Sequence, residues 1–229
     1  MSTSGSYNFN PSLGEITLYA YNLCGIRNTQ MTQEHMEAAR MASNMLLGRW
    51  SSEGVNLWTV DLQTVPLVKG QSTYTIPVNT ITMLDTYVVQ NTGGAAINRF
   101  ILPISRTEYA SYPNPEQQGF PTTYWEDRLI SGTVTLWPVP DGTQSSLNYY
   151  RIRQIQDANF TSGQTVEVPN YFLEAFAYGL ALRLAMMWAP EKVQMIKPLA
   201  DEGYAIAVAQ NIEIAQFYIS PTISSYFRP

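Results

Sequence analysis

The chain has 229 residues, of which Asp, Glu, Lys and Arg make up only 14%, whereas apolar residues make up 45%. Charged residues contribute about 25% of an average globular domain. The net charge of −5 argues against a protein that grips nucleic-acid phosphates, and an aromatic content of 12% argues against an intrinsically disordered chain. We therefore expect a folded protein with a charge-poor surface.

Two amphipathic helices are predicted in residues 1–54. Ser12 and Glu15 have the spacing of a capping box, so a first helix should begin there and end before Gly25. Thr32 can cap a second helix that continues to Trp50. The apolar stripes are Leu13, Ile16, Tyr19, Ala20 and Leu23, then Met36, Ala39, Ala42, Leu46 and Trp50. Such helices form an antiparallel pair that must bury its apolar faces against other elements.

Residues 55–168 favour β-structure, because the apolar period changes to two and Pro and Gly become frequent. The Asp141-Gly142 turn predicts a hairpin that joins the strand around Leu136 to residues 147–152. Arg151 and Arg153 are expected on a solvated strand face. The prolines and glycine of residues 109–123 predict a long surface loop without regular structure.

Helical spacing returns in residues 169–217. Residues 171–189 are almost free of charge, which favours a helix buried on most sides over a membrane span. Pro190 suits the first turn of another helix, and Pro198 should kink or restart it. Residues 218–229 contain two further prolines and several apolar side chains, so this tail either packs on its own domain or docks into a partner.

Residue types that carry catalysis are scarce. His35 is the single histidine and Cys24 the single cysteine, which excludes a zinc site made from several such ligands and favours structural roles for both. The adjacent pairs Glu126-Asp127 and Asp201-Glu202 diverge on a strand or helix, so neither is preset for joint acid and base catalysis. We expect no enzymatic activity, no metal and no cofactor.

A sugar-binding surface is the alternative that the aromatic residues leave open. Trp125, Trp137, Tyr149 and Tyr150 fall in the β-rich region and could together form a platform on which sugar rings stack. The alternative function is therefore a carbohydrate-binding or glycan-processing tail module.

The order of elements, with helices at both ends, a β-rich region between them and an aromatic tail, resembles the head-to-tail adaptor proteins of short-tailed bacteriophages. Local segments are also similar to that family: MLLGRW (45–50), GVNLW (54–58), KGQSTYTIP (69–77), GFPTTYW (119–125), LWPVPD (136–141) and LNYYR (147–151). The likeness covers residues 12 to 217. Here the β-rich region is long, which leaves its location and contacts open.

The resemblance implies an α+β fold in which N- and C-terminal helices form a bundle. Its parts would be helical residues 1–54, a β-rich insertion over 55–168, helical residues 169–217 that complete the bundle, and a partner-docking tail over 218–229. The tail residues expected to dock on the portal are Tyr218, Ile219, Ile223, Tyr226, Phe227 and Arg228.

The resemblance also implies a structural role in the virion. The chain would form a dodecameric ring with copies of itself beneath the capsid portal protein, and this connector would meet a tail nozzle or tail tube protein. Double-stranded DNA would pass through during ejection without tight binding, and no membrane would be involved. The protein would be made in the host cytoplasm and would reside at the head-tail junction.

Overall fold

The computed structural model describes residues 5–6, 9–54, 57–92, 95–161 and 163–212. It is a mixed α+β fold, as expected. The predicted docking residues in 218–229 lie outside the described residues. The helices are α1 (Leu13–Leu23), α2 (Gln33–Glu53), α3 (Arg106–Ala110), α4 (Asn170–Trp188) and α5 (Val193–Gln210).

The capping box at the start of α1 is confirmed. The backbone N–H of Ser12 donates to Glu15 Oε2 at 2.8 Å, and the N–H of Glu15 donates to Ser12 Oγ at 3.3 Å. Thr32 is the residue before α2, where its N–H donates to Nδ1 of His35 at 3.3 Å. Local sequence thus defines where both helices begin.

The four long helices share one hydrophobic core. α4 lies at its centre, in contact with α1, α2 and α5, which explains why its sequence is apolar on most sides. Phe172, Phe176, Leu180 and Leu184 of α4 are completely buried. Beside them, Trp50 of α2 packs edge-on against Phe172, with ring centroids 5.2 Å apart.

A short 3₁₀ turn, Pro190–Lys192, precedes α5, so Pro190 occupies a first helical turn as predicted. α5 then continues through Pro198, which has no N–H to donate to the carbonyl oxygen of Gln194 but does not end the helix. The helix therefore does not restart at this proline, and the predicted kink stays a prediction. Ile196, Ala200 and Ala207 recur at helical spacing and form the buried stripe of α5.

The strands lie between α2 and α4 in the chain. They are β1 (Val60–Pro66), β2 (Thr73–Thr75), β3 (Thr80–Thr92), β4 (Ala95–Phe100), β5 (Leu102–Pro103), β6 (Gln118–Gly119), β7 (Thr123–Asp127), β8 (Thr133–Trp137), β9 (Val139–Pro140) and β10 (Gln144–Arg153). One sheet has the order β1-β10-β3-β4 and a second has the order β2-β8-β7-β5, while β6 pairs with β9.

The two larger sheets share a second hydrophobic core, separate from that of the helices. Val88 of β3 and Leu147 of β10 are directly paired and fully buried in the first sheet. Val134 and Leu136 of β8 are fully buried in the second. Since all four belong to one cluster, the sheets pack face to face.

The predicted hairpin around Asp141-Gly142 was wrong. The turn itself is present, with Gly142 at φ 95° and Thr143 N–H donating to Asp141 Oδ1 at 3.0 Å. However, β8 and β10 belong to different sheets, so the turn carries the chain from one sheet to the other. Pro138 and Pro140 lack the N–H groups that a continuing hairpin ladder would use.

The prediction for residues 109–123 was also partly wrong. α3 includes Tyr109 and Ala110, and β6 pairs with β9. The side chain of Ser105 caps α3 by accepting a hydrogen bond from the N–H of Glu108 at 3.1 Å. This capping pattern is short in sequence, and the nearby prolines had favoured a loop instead.

The expectation that Arg151 and Arg153 occupy a solvated face was wrong. Arg151 is 5% exposed, and its Nε donates to Asp61 Oδ1 at 2.7 Å. Its Nη1 donates to Asn79 Oδ1 and Thr80 Oγ1, both at 2.8 Å. The burial of this arginine depends on partners from β1 and from the start of β3, which are far away in sequence.

The segment after β10 joins the sheets to the helices. Asn44 of α2 accepts from the N–H of Ala158 at 2.7 Å and donates to its carbonyl oxygen at 3.1 Å. Trp58 Nε1 donates to the carbonyl oxygen of Glu167 at 3.1 Å, and the Trp58 ring packs on Phe172. These contacts tie the end of the β-region to the helical core.

The ion pair between Arg153 and Glu167 in this segment predicts a pH dependence. The hydrogen bonds from Arg153 lower the pKa of Glu167, against the opposing effect of burial. As the pH falls, Glu167 is therefore protonated at a higher pH in the unfolded chain than in the folded protein. Near neutral pH, we expect the wild-type protein to have a larger free energy of unfolding than a Glu167→Gln variant. This difference in free energy should shrink below a pH of about 4.3. Chemical denaturation across this range measures it, and a difference that stays constant would contradict the assignment.

Candidate interaction surfaces

An apolar groove lies between α1 and the first two turns of α4. Its volume is about 510 Å³. Ile16, Leu173 and Ala177 are buried side chains that line it. The remaining lining residues are Phe9, Pro11, Glu15, Tyr19, Asn170, Glu174 and Tyr178. A groove with this lining suits an apolar segment better than a charged ligand.

Tyr19 and Tyr178 form one side of the groove. A hydrogen bond with Tyr19, and then burial, raises the pKa of Tyr178. Tyr19 belongs to the predicted buried stripe of α1, but its side chain is 48% exposed. Sequence reasoning missed the groove, because its lining residues on α1 and α4 are far apart in sequence.

The described part of the chain ends just after α5, close to this groove. The hydroxyl of Tyr171, near the start of α4, donates to Oδ1 of Asn211 at 3.3 Å. Ile212, where the described residues end, is 66% exposed. Tyr171 lies between Asn170 and Leu173, both of which line the groove. The last described residues, Asn211 and Ile212, therefore lie near the apolar groove.

Several helices also expose methionine side chains. Met41 and Met45 are one turn apart on α2, and Met186, Met187 and Met195 lie around the connection between α4 and α5. All five are more than half exposed. Exposed flexible apolar side chains are typical of protein-binding surfaces, since methionine adapts to irregular partners.

The aromatic residues proposed for sugar stacking do not form one platform. Tyr149 is completely buried in the core between the sheets. Tyr109 stacks on Trp125 with ring centroids 5.6 Å apart, and Tyr112 stacks on Trp137 at 3.9 Å. The tyrosines of α3 and the turn after it thus pack on both tryptophans, and the burial of Tyr149 removes one of the four residues proposed for sugar stacking.

The single histidine has structural contacts. His35 stacks on Trp188 with ring centroids 4.2 Å apart, and Tyr21 donates a hydrogen bond to its carbonyl oxygen. Cys24 is buried and its Sγ lies 3.5 Å from the carbonyl oxygen of Ala181, while burial raises the pKa of its thiol to about 11. A thiol in that state is a poor nucleophile.

The adjacent carboxylates do not meet in a catalytic arrangement. Burial raises the pKa of Glu126, whose Oε2 lies 4.0 Å from Nε of Arg128. Asp201 and Glu202 are exposed on α5, away from the strands. Among the described residues, no group of three or more His, Cys, Asp or Glu side chains is placed to hold a metal ion.

A charged pocket of about 70 Å³ lies between α2, α4 and α5. Arg49 Nε donates to Glu53 Oε1 at 2.6 Å, and the hydroxyl of Tyr204 donates to the other carboxylate oxygen. Burial, and then the nearby Arg49, lowers the pKa of Arg183. The pocket links three helices and is too small to hold more than a few atoms.

Within the described part of the chain, none of the helices has the length and hydropathy needed to cross a membrane.

Comparison with known families gives one finding. A family model described as SU10 adaptor protein matches residues 33–218, which include α2, the whole β-region, α4 and α5. A comparison with curated proteins returns no significant match.

Proposed function

The chain belongs to the SU10 adaptor protein family, a family of structural phage adaptors and not of enzymes, and from this premise we propose that it is a head-to-tail adaptor. In this role it forms a ring beneath the capsid portal, extends the DNA channel and joins the head to the tail. The observation that carries the proposal is the family match over residues 33–218. We propose a ring of twelve subunits at the head-tail junction of the virion.

The exposed apolar side chains of the helices support ring formation. A ring is built from heterologous contacts, in which one surface of a subunit meets a different surface of the next. Met41 and Met45 on α2 and Met195 and Leu199 on α5 are exposed on two different helices. Interface cores are depleted in Lys, Glu and Asp, as this charge-poor chain is.

We assign separate roles to the parts of the chain. The helical residues 1–54 and 169–217 form a bundle that builds the ring wall, and the β-rich insertion, residues 55–168, faces a tail nozzle or tail tube protein. The tail, residues 218–229, docks on the portal. The docking side chains are Tyr218, Ile219, Ile223, Tyr226, Phe227 and Arg228.

The charge of the chain supports passage of DNA without tight binding. A net charge of −5 per subunit, repeated around a ring, makes an acidic assembly that repels phosphate. Arg151 and Arg153 are paired with Asp61 and Glu167, which reduces the positive charge free for phosphate contacts. Synthesis in the host cytoplasm precedes assembly into the virion.

Sedimentation with purified portal protein tests the proposal. We expect the chain to travel with the portal in a fixed ratio of one copy per portal subunit. The control is the portal mixed with an unrelated acidic protein of similar size. Separate sedimentation of chain and portal would contradict the proposed function.

A further inference from the structure

The buried stripe of α5 points beyond the described residues. Ile196, Ala200 and Ala207 face the helical core, and Asn211 continues their spacing. At the same spacing the next positions are Ile214 and then Phe217, both apolar. These two residues follow the point at which α5 reaches the beginning of α4.

The groove between α1 and α4 lies within reach of these residues. Asn211 contacts Tyr171, and Leu173 and Glu174 line the groove within one turn of Tyr171. One turn of helix advances about 5 Å, whereas five extended residues span up to about 17 Å. Measured from Ile212, extended chain can place Ile214 up to about 7 Å away and Phe217 up to about 17 Å away, a range comparable with about one to three turns along α4.

We infer that Ile214 and Phe217 occupy this groove in the same subunit and so anchor the base of the C-terminal tail. Two apolar side chains fit a groove of about 510 Å³ whose buried lining includes Ile16, Leu173 and Ala177. Residues from Tyr218 onward remain outside the groove. The inference concerns the isolated subunit, so it holds or fails independently of portal docking.

Anchoring in the same subunit follows from proximity. A segment tethered a few residues from its site has an effective concentration in the millimolar range, which exceeds the concentration of a second copy in dilute solution. The groove residues Glu15 and Glu174 are charged and do not attract an apolar segment. The apolar lining is therefore the main attraction for Ile214 and Phe217.

Engineered cysteines in the full chain test the inference. One variant combines Glu174→Cys at the groove with Gln216→Cys in the tail. The matched control combines Ile206→Cys with Gln216→Cys, because Ile206 is 54% exposed on α5 and only ten residues before Gln216, but does not line the groove. The native Cys24 is buried, with a thiol pKa of about 11, so it should react slowly.

With oxidised glutathione and no portal present, we expect the groove pair to form an intramolecular disulfide about 10-fold faster than the control pair. Adding Ile214→Asp and Phe217→Asp should reduce the rate to that of the control. Mass spectrometry distinguishes monomer from dimer. Equal rates for the two pairs would overturn the inference, as would a disulfide that forms only between two copies.

Discussion

Replacement of Phe172 by alanine is expected to lower the free energy of unfolding by about 3–5 kcal/mol, which is the usual cost of removing a buried phenyl ring. Phe172 is completely buried, and its ring packs against Trp50 and Trp58, with centroids 5.2 and 4.8 Å away. The change therefore opens a cavity where the helical core meets the start of the β-region. Denaturant unfolding monitored by tryptophan fluorescence measures the effect.

The matched control is the neighbouring Tyr171→Ala. Tyr171 is 40% exposed, and its hydroxyl makes one hydrogen bond, to Asn211. We expect this change to cost about 1 kcal/mol or less. If the two variants were equally stable, Phe172 would not occupy the core position described above.

A chain that ends at Phe217 is expected to fold normally and to lose docking on the portal. The deleted residues hold all the side chains assigned to docking, from Tyr218 to Arg228, whereas the described members of both hydrophobic cores come from residues 13–207. Aromatic side chains dominate the binding affinity at most protein interfaces, so their loss should weaken docking strongly. Sedimentation with portal protein measures the loss, and denaturant unfolding measures whether stability is retained.

The control for this truncation keeps the length of the tail and changes one side chain outside the proposed anchors, Ser224→Ala. That variant should dock as the full chain does. Docking by the truncated chain with unchanged affinity would exclude the proposed role of residues 218–229.

Local patterns predicted the helices well. The ends of α1 and α2 depend on short-range contacts such as Ser12 with Glu15, and these can be identified from spacing alone. Ala39, Ala42, Leu46 and Trp50 of the predicted α2 stripe are buried, whereas Met36 is only half-buried. The resemblance to adaptors was confirmed by the family match.

Long-range arrangements were harder to predict. Alternation of apolar residues shows that β8 and β10 are strands, but it does not show that Leu136 and Leu147 come from opposite sheets. The burial of Arg151 depends on Asp61, which is distant in sequence and adjacent only after β1 pairs with β10. The groove beside Tyr19 likewise forms only where α1 and α4, which are far apart in sequence, lie side by side.

Electron microscopy of the full chain mixed with portal protein tests the central claim most directly. The claim predicts a ring of twelve copies on one surface of the portal, with a central channel continuous with that of the portal. Portal particles that carry no added ring, or that carry the chain without such a channel, would contradict it.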